Sequence, residues 1–202
     1  MNTSHWLLVV LWVVYYAVHS LLASTIAKQF FKNNFGKLYR YYRLSYSIFA
    51  TITLALLLYF QYSFESPVLI HIGWIKYVSF FVLVLPGLLL MGISIKKYFM
   101  LLSGVRSIYQ SVPASELKID GVHRYMRHPL YAGTILFVCG LFFILPYLNN
   151  FIAVVLLILY VLIGIYFEEK KLIKEFGSRY QDYMLNVPML IPRFKIKSGI
   201  SE

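Results

Sequence analysis

Five apolar runs decide what this chain can become. Residues 5–27, 44–62, 74–95, 131–148 and 151–167 are almost free of charge, and each is close to the twenty or so helical residues that cross a bilayer core. In hydrocarbon every backbone N–H and C=O must be paired within its own segment, so runs of this kind fold as helices. Composition agrees: 60% of the residues are hydrophobic and 13% are charged, with a mean hydropathy of +0.70, whereas soluble domains carry about a quarter charged residues. The expectation is an all-α integral membrane protein of about five transmembrane helices. Residues 1–112 form a three-span region closed by an interfacial helix, residues 113–202 form a second region, and the two make one compact domain. The N-terminal MNTSHW lacks a basic flank and no small-residue cleavage site clearly follows, so the first run is read as a retained span.

The last two runs are separated only by PYLNN, residues 146–150. Proline and paired asparagines mark a turn, which predicts a tight helical hairpin.

Charge sorts by side. All but Lys76 of the 19 Lys and Arg residues fall between spans one and two, between spans three and four, or after span five. The positive-inside rule then puts the N-terminus outside and the C-terminus in the cytoplasm, in what reads as a bacterial inner membrane. The net charge of +11 is accounted for by this topology, with no nucleic-acid partner implied. The single cysteine, Cys139, sits inside an apolar run and reads as a small buried hydrophobe.

Two cytoplasmic segments are large enough to work. Residues 96–121 begin apolar, as a helix leaving the membrane or lying along it, are broken at Pro113 and end in a polar loop. The tail EEKKLIKEFGSRYQDYML places Leu172, Ile173, Phe176, Tyr180 and Tyr183 at near-helical spacing, which predicts an amphipathic cytoplasmic helix kinked at Gly177. VPMLIPRF then gives an extended end.

The sequence holds no dinucleotide glycine fingerprint, no phosphate-binding lysine loop, no nucleophile elbow and no HExxH. His123 and His128 are poorly spaced for one helix face, and nothing points to a metal. What stands out is MRHPLYAG, residues 126–133, at the mouth of the fourth span. Proline suits a first helical turn and biases the preceding residue toward extended backbone. The span therefore starts near Pro129, with free N–H groups and a partly positive dipole end beside Arg127 and His128. That is a cradle for an anion such as a carboxylate. Gly133, one turn in, allows close approach of another backbone or a ligand. Glu168 and Glu169 close span five on the same side, so a hairpin brings them opposite Arg127 and His128. The plainest reading is a structural salt bridge. The functional one is a clamp for a zwitterion, with the cations and helix end holding a carboxylate and the acids holding an ammonium or ribose hydroxyls.

GVHRYMRHPLYAG, a short apolar hairpin, and then EEKKLIKEFGSRYQDYMLNVPMLIP resemble the isoprenylcysteine carboxyl methyltransferase family, with phospholipid methyltransferases as wider relatives. The resemblance covers residues 119–193. Before it, AVHSLLAS and RYYRLSY look more like bacterial members than eukaryotic ones. The resemblance implies an integral membrane methyltransferase using S-adenosylmethionine, with residues 113–202 as its cofactor region. It implies His128, Tyr131 and Gly133 as cofactor contacts together with Arg127, Glu168 and Glu169, and catalytic roles for Glu168 and Arg127. The cofactor enters from the cytoplasm, and the acceptor is a lipophilic or small molecule: a carboxylate, thiol or amine. An NADPH-dependent membrane reductase of sterol-reductase-like architecture and a non-catalytic membrane protein stand as alternatives.

Overall fold

The computed structural model describes residues 2–102, 117 and 119–193. Along the chain run α1 (Thr3–Ala23), α2 (Thr25–Phe35), a 3-10 stretch (Gly36–Tyr41), α3 (Tyr42–Tyr62), α4 (Ile75–Ser79), a π-helical turn (Phe80–Val84), α5 (Leu85–Leu102), a 3-10 turn (Gly121–Arg124), α6 (Pro129–Ile144), α7 (Leu148–Phe176) and α8 (Ser178–Asn186). Among the described residues the one β-type feature is an isolated bridge between Val68 and Tyr147. This is an all-α integral membrane protein. Thr3–Ala23, Thr25–Tyr62, Ile75–Lys96 and Leu148–Phe176 are long and apolar enough to cross a bilayer, and Pro129–Ile144 is a shorter apolar helix. Leu56, Phe81 and Phe167 stand exposed on these helices, a surface that a lipid solvent accepts and water does not.

Local chemistry sets the helix ends. The first expected span ran to residue 27, but the chain turns at Ser24, whose hydroxyl accepts the Ala27 N–H at 3.1 Å and caps α2. The expected fifth span is only the middle of α7, which continues unbroken through Glu168 and Glu169 to Phe176. Gly177 then adopts φ +60°, a conformation costly for any residue with a Cβ, and the helix restarts as α8. The predicted kink is thus a complete break. Of the interfacial segment expected over 96–121, Pro113 and the residues around it lie outside the described residues.

The chain forms two compact units, neither a continuous stretch. One gathers α1, α2, α3 and the start of α7 up to Leu156. Its core is Leu8, Trp12, Leu57 and Ile152. Beside that core Trp12 Nε1–H donates to Gln61 Oε1 at 3.0 Å, Gln61 Nε2 donates to Asn150 Oδ1 at 2.7 Å, and Asn149 Nδ2 donates to the Gln61 carbonyl at 2.7 Å. The asparagines that mark the turn in sequence are buried. They satisfy one another and the α3 terminus, as buried amides must.

The other unit gathers residues 73–94, α6, the remainder of α7 and α8. Here α6 packs on the third span almost backbone to backbone. A Cβ added at Gly133 would stand 2.9 Å from the Gly87 carbonyl oxygen, so glycine is required for the approach. The Ser79 hydroxyl reaches across to the Gly140 carbonyl at 2.9 Å. Tyr180, Tyr183 and Val187 form a second core against Leu172, Ile173 and Phe176, so the helical stripe read from the tail faces inward.

Candidate active site

The site is built where α6 begins. Pro129 is the first residue of α6, and the first bond across its start runs from the Ala132 N–H to the His128 carbonyl at 3.0 Å. The amides of Leu130 and Tyr131 thus lie in the first turn, where a helix has no internal acceptor for them. Ahead of the proline the chain is extended and pairs with the C-terminal segment. The Arg127 N–H donates to the Pro188 carbonyl at 2.9 Å, the His128 N–H to the Met189 carbonyl at 3.1 Å, and the Arg193 N–H to the Tyr125 carbonyl at 3.1 Å. Two prolines in the tail keep it from coiling and leave its carbonyls as acceptors.

The side chains converge on one carboxylate. Glu169 Oε1 accepts from Arg127 Nε at 2.8 Å and lies 3.0 Å from His128 Nε2. Side-chain exposures are 9% for Arg127, 5% for His128 and 13% for Glu169, so the charges meet largely out of water, where a bond between them is stronger. Arg127 Nη1 also donates to the Met184 carbonyl at 3.0 Å and to the Val187 carbonyl. One guanidinium therefore ties α7, the end of α8 and the extended tail together. On the exposed side the Tyr131 hydroxyl donates to Glu168 Oε2 at 2.9 Å. The adjacent glutamates are thus split, one turned in to Arg127 and His128 and one turned out with Tyr131.

Gly133 falls elsewhere. It lies against Gly87 and Met91, which gives it a packing reason, whereas Arg127, His128, Tyr131, Glu168 and Glu169 are gathered as the motif spacing implies. Sequence reasoning assigned no functional part to Tyr180. Its hydroxyl is buried with no hydrogen bond of good geometry among the described residues, with Arg127 and Glu169 as charged neighbours. Burial first, and then the Glu169 charge, push its pKa up to about 12. Tyr183, one turn on, donates to the His123 carbonyl at 2.6 Å. The available signal was the pair of tyrosines three residues apart just after a helix-breaking glycine.

Residues 83–179 match the family model of phospholipid methyltransferases, a stretch that holds α6, the two glutamates and the Arg127–His128 pair. Over these residues, a little under half of the chain, the sequence is similar to phospholipid methyltransferases. The resemblance read from the motif is therefore correct at the level of membrane methyltransferases. Among curated relatives, the chain is 33% identical over 104 residues to a methanethiol S-methyltransferase of Crocosphaera subtropica, covering 48% of the present chain and 39% of the relative. It is 38% identical over 74 residues to methanethiol S-methyltransferase 2 of Bradyrhizobium diazoefficiens, covering 36% and 27%. It is 28% identical over 121 residues to a methanethiol S-methyltransferase of Pseudomonas deceptionensis, covering 56% and 44%. The matched part spans less than half the length of each of these relatives. No solved structure matches the chain.

Proposed function

We propose that the chain is an S-adenosylmethionine-dependent methyltransferase whose acceptor is a small thiol. The observation that carries this reading is the split acidic pair: Glu169 held between Arg127 and His128, and Glu168 turned out with Tyr131. The donor set fits the amino-acid end of S-adenosylmethionine. The first-turn amides of α6 and the helix dipole suit its carboxylate, and the outward Glu168 carboxylate suits its ammonium group. The buried Tyr180 hydroxyl, beside Arg127 and Glu169, is a further polar group with no well-formed hydrogen bond among the described residues. When bound, that molecule supplies a methyl group on a cationic sulfur.

The chain's residues then bind, orient and keep water out. Arg127 acts at one remove: its Nε and Nη1 are taken by protein acceptors, so it positions Glu169 and the tail. His128, 6% exposed, closes the floor. The methanethiol S-methyltransferases among the relatives favour a thiol acceptor. The nucleophile in such a transfer is the thiolate, and its union with a sulfonium neutralises charge, which a dry site favours. Alignment of the two partners supplies most of the rate. The Glu168 carboxylate is the exposed group able to take the thiol proton.

The test uses the full chain in detergent. Calorimetry measures binding of S-adenosylmethionine and of NADPH, and headspace chromatography follows dimethyl sulfide formed from methanethiol. Wild-type protein binds S-adenosylmethionine and makes the thioether. Glu168→Ala and His128→Ala, each lost as a charged or hydrogen-bonded contact, bind it about tenfold to a hundredfold more weakly. Binding of NADPH alone would replace this reading with the reductase.

A further inference from the structure

Between α1 and α3 the chain does not cross the bilayer. Ser24 is extended, with φ −65° and ψ 157°, so α2 leaves the line of α1, and Gly36, with φ +46°, ends it. The 11 residues of α2 make about 16 Å of helix, roughly half a hydrocarbon core. Of the apolar stretch Thr25–Tyr62, the 21 residues of α3 are the ones long enough to cross. A short helix joined at both ends to spanning helices is confined to the boundary of the bilayer.

The sequence of α2, TIAKQFFKNNF, divides by face. Ile26 and Phe30 stand one turn apart on one edge. Lys28 and Lys32 each follow two positions later, about 200° around the axis, so they stand on the opposite edge. The Phe31 ring packs inward, 4.6 Å from the Tyr42 ring, and the Tyr42 hydroxyl donates to the Leu22 carbonyl at 2.6 Å. Those contacts fix α2 against the end of α1 and the start of α3. Asn34, the polar residue that falls among the apolar ones, turns its amide back to the Phe30 carbonyl at 2.8 Å. Ile26 and Phe30 stay 78% and 59% exposed, and Lys32 and, just beyond the helix, Lys37 are exposed as well.

We propose that α2 lies flat in the head-group layer, with Ile26 and Phe30 among the first acyl carbons and the lysine edge turned to the lipid phosphates, so that this surface prefers an anionic leaflet. Apolar side chains on one edge and cations on the other are what a helix in a membrane interface presents, and basic residues at that depth are drawn to anionic head groups. The attachment of α2 to two spans puts its bare edge where lipid already is. The inference is independent of the methyltransferase reading, since none of these residues belongs to the candidate active site.

The experiment puts the full chain, with Cys139 replaced by Ala, into vesicles of mixed phosphatidylglycerol and phosphatidylcholine. Phe30→Cys and Lys32→Cys each carry a nitroxide, and power saturation compares exposure of the label to oxygen, which concentrates among acyl chains, and to a water-soluble nickel chelate. The Phe30 label is several-fold more exposed to oxygen than to nickel, and the Lys32 label shows the reverse. Ile26→Cys, one turn away, behaves as Phe30→Cys does and decides the matter if that variant fails to fold. In vesicles of phosphatidylcholine alone the Phe30 label moves toward water, and combining Lys32→Gln and Lys37→Gln in the mixed vesicles moves it the same way. A Phe30 label as open to nickel as the Lys32 label overturns the interfacial placement. A Phe30 label closed to both reagents overturns it in favour of a covering protein, whether a second copy or another chain. Equal depth in the two kinds of vesicle overturns the preference for anionic lipid.

Discussion

Arg127 Nε lies 2.8 Å from Glu169 Oε1, between residues 42 positions apart in the chain, and both side chains are largely shielded from water. Because the same guanidinium also bonds the Met184 and Val187 carbonyls, this pair is the fastener between α7 and the C-terminal segment.

Breaking it from the basic side leaves a buried carboxylate and two carbonyls without their donor. Arg127→Ala is expected to destabilise the protein by about 3 kcal/mol, whereas Glu169→Gln, which keeps an acceptor oxygen facing Arg127, costs about half as much or less. Thermal unfolding of the two variants in the same detergent gives the order. An order with Glu169→Gln the worse would mean that Arg127 is not the fastener.

The closeness of α6 to the third span predicts intolerance at Gly133. A methyl there meets the Gly87 carbonyl oxygen at 2.9 Å and the Met91 backbone N at 3.0 Å. Backbone cannot swing aside as a side chain does, and overpacking of this kind costs about 1–3 kcal/mol. Gly133→Ala should unfold at lower temperature yet, at a temperature where it is folded, bind S-adenosylmethionine within about threefold of wild type, since the clash sits on the packing face. A large affinity loss in folded protein would instead make Gly133 a direct contact.

Tyr180 gives a pH signature. An exposed tyrosine ionises near pH 10, and the folded-state value here is pushed up to about 12. Between those values the unfolded chain loses its proton first, so folding stability is intact below about pH 10 and falls as pH rises toward 12. Tyr180→Phe should lack that alkaline component. At neutral pH it should be as stable as wild type or slightly more so, because the deleted hydroxyl makes no well-formed hydrogen bond among the described residues. Unfolding temperature measured against pH for both proteins checks the two points; parallel curves would count against the burial argument.

Orientation is testable with single cysteines. His71 lies in the exposed connection after α3, and Ser178 is exposed at the start of α8. With Cys139 replaced by Ala, His71→Cys should react with an impermeant maleimide on intact cells and Ser178→Cys only after permeabilisation. Reversal of that pattern would put the Arg127–Glu169 site on the wrong side for a cytoplasmic cofactor.

Much of this was legible in the chain. The apolar runs dictate helices because a bilayer leaves backbone groups no other partner, and the Arg127-His128-Pro129 step dictates where α6 starts because proline lacks an N–H. The pair Glu168–Glu169 was readable as an acidic end to α7. Its division into one inward and one outward carboxylate was not, because neighbouring residues on a helix point about 100° apart and only the packing of α7 chooses which of them meets Arg127.

The same holds for Asn149 and Asn150, which in sequence are turn residues. Their burial against Gln61 depends on a partner 88 or 89 positions away. Sequence alone determined what each segment had to be: helix, turn, cap or break, all consequences of short-range sterics and of solvent. Tertiary structure decided which faces met, that Gly133 lies against Gly87 and Met91, and that Tyr180 was sealed inside with Arg127 and Glu169, because those outcomes depend on distances between residues far apart in the chain.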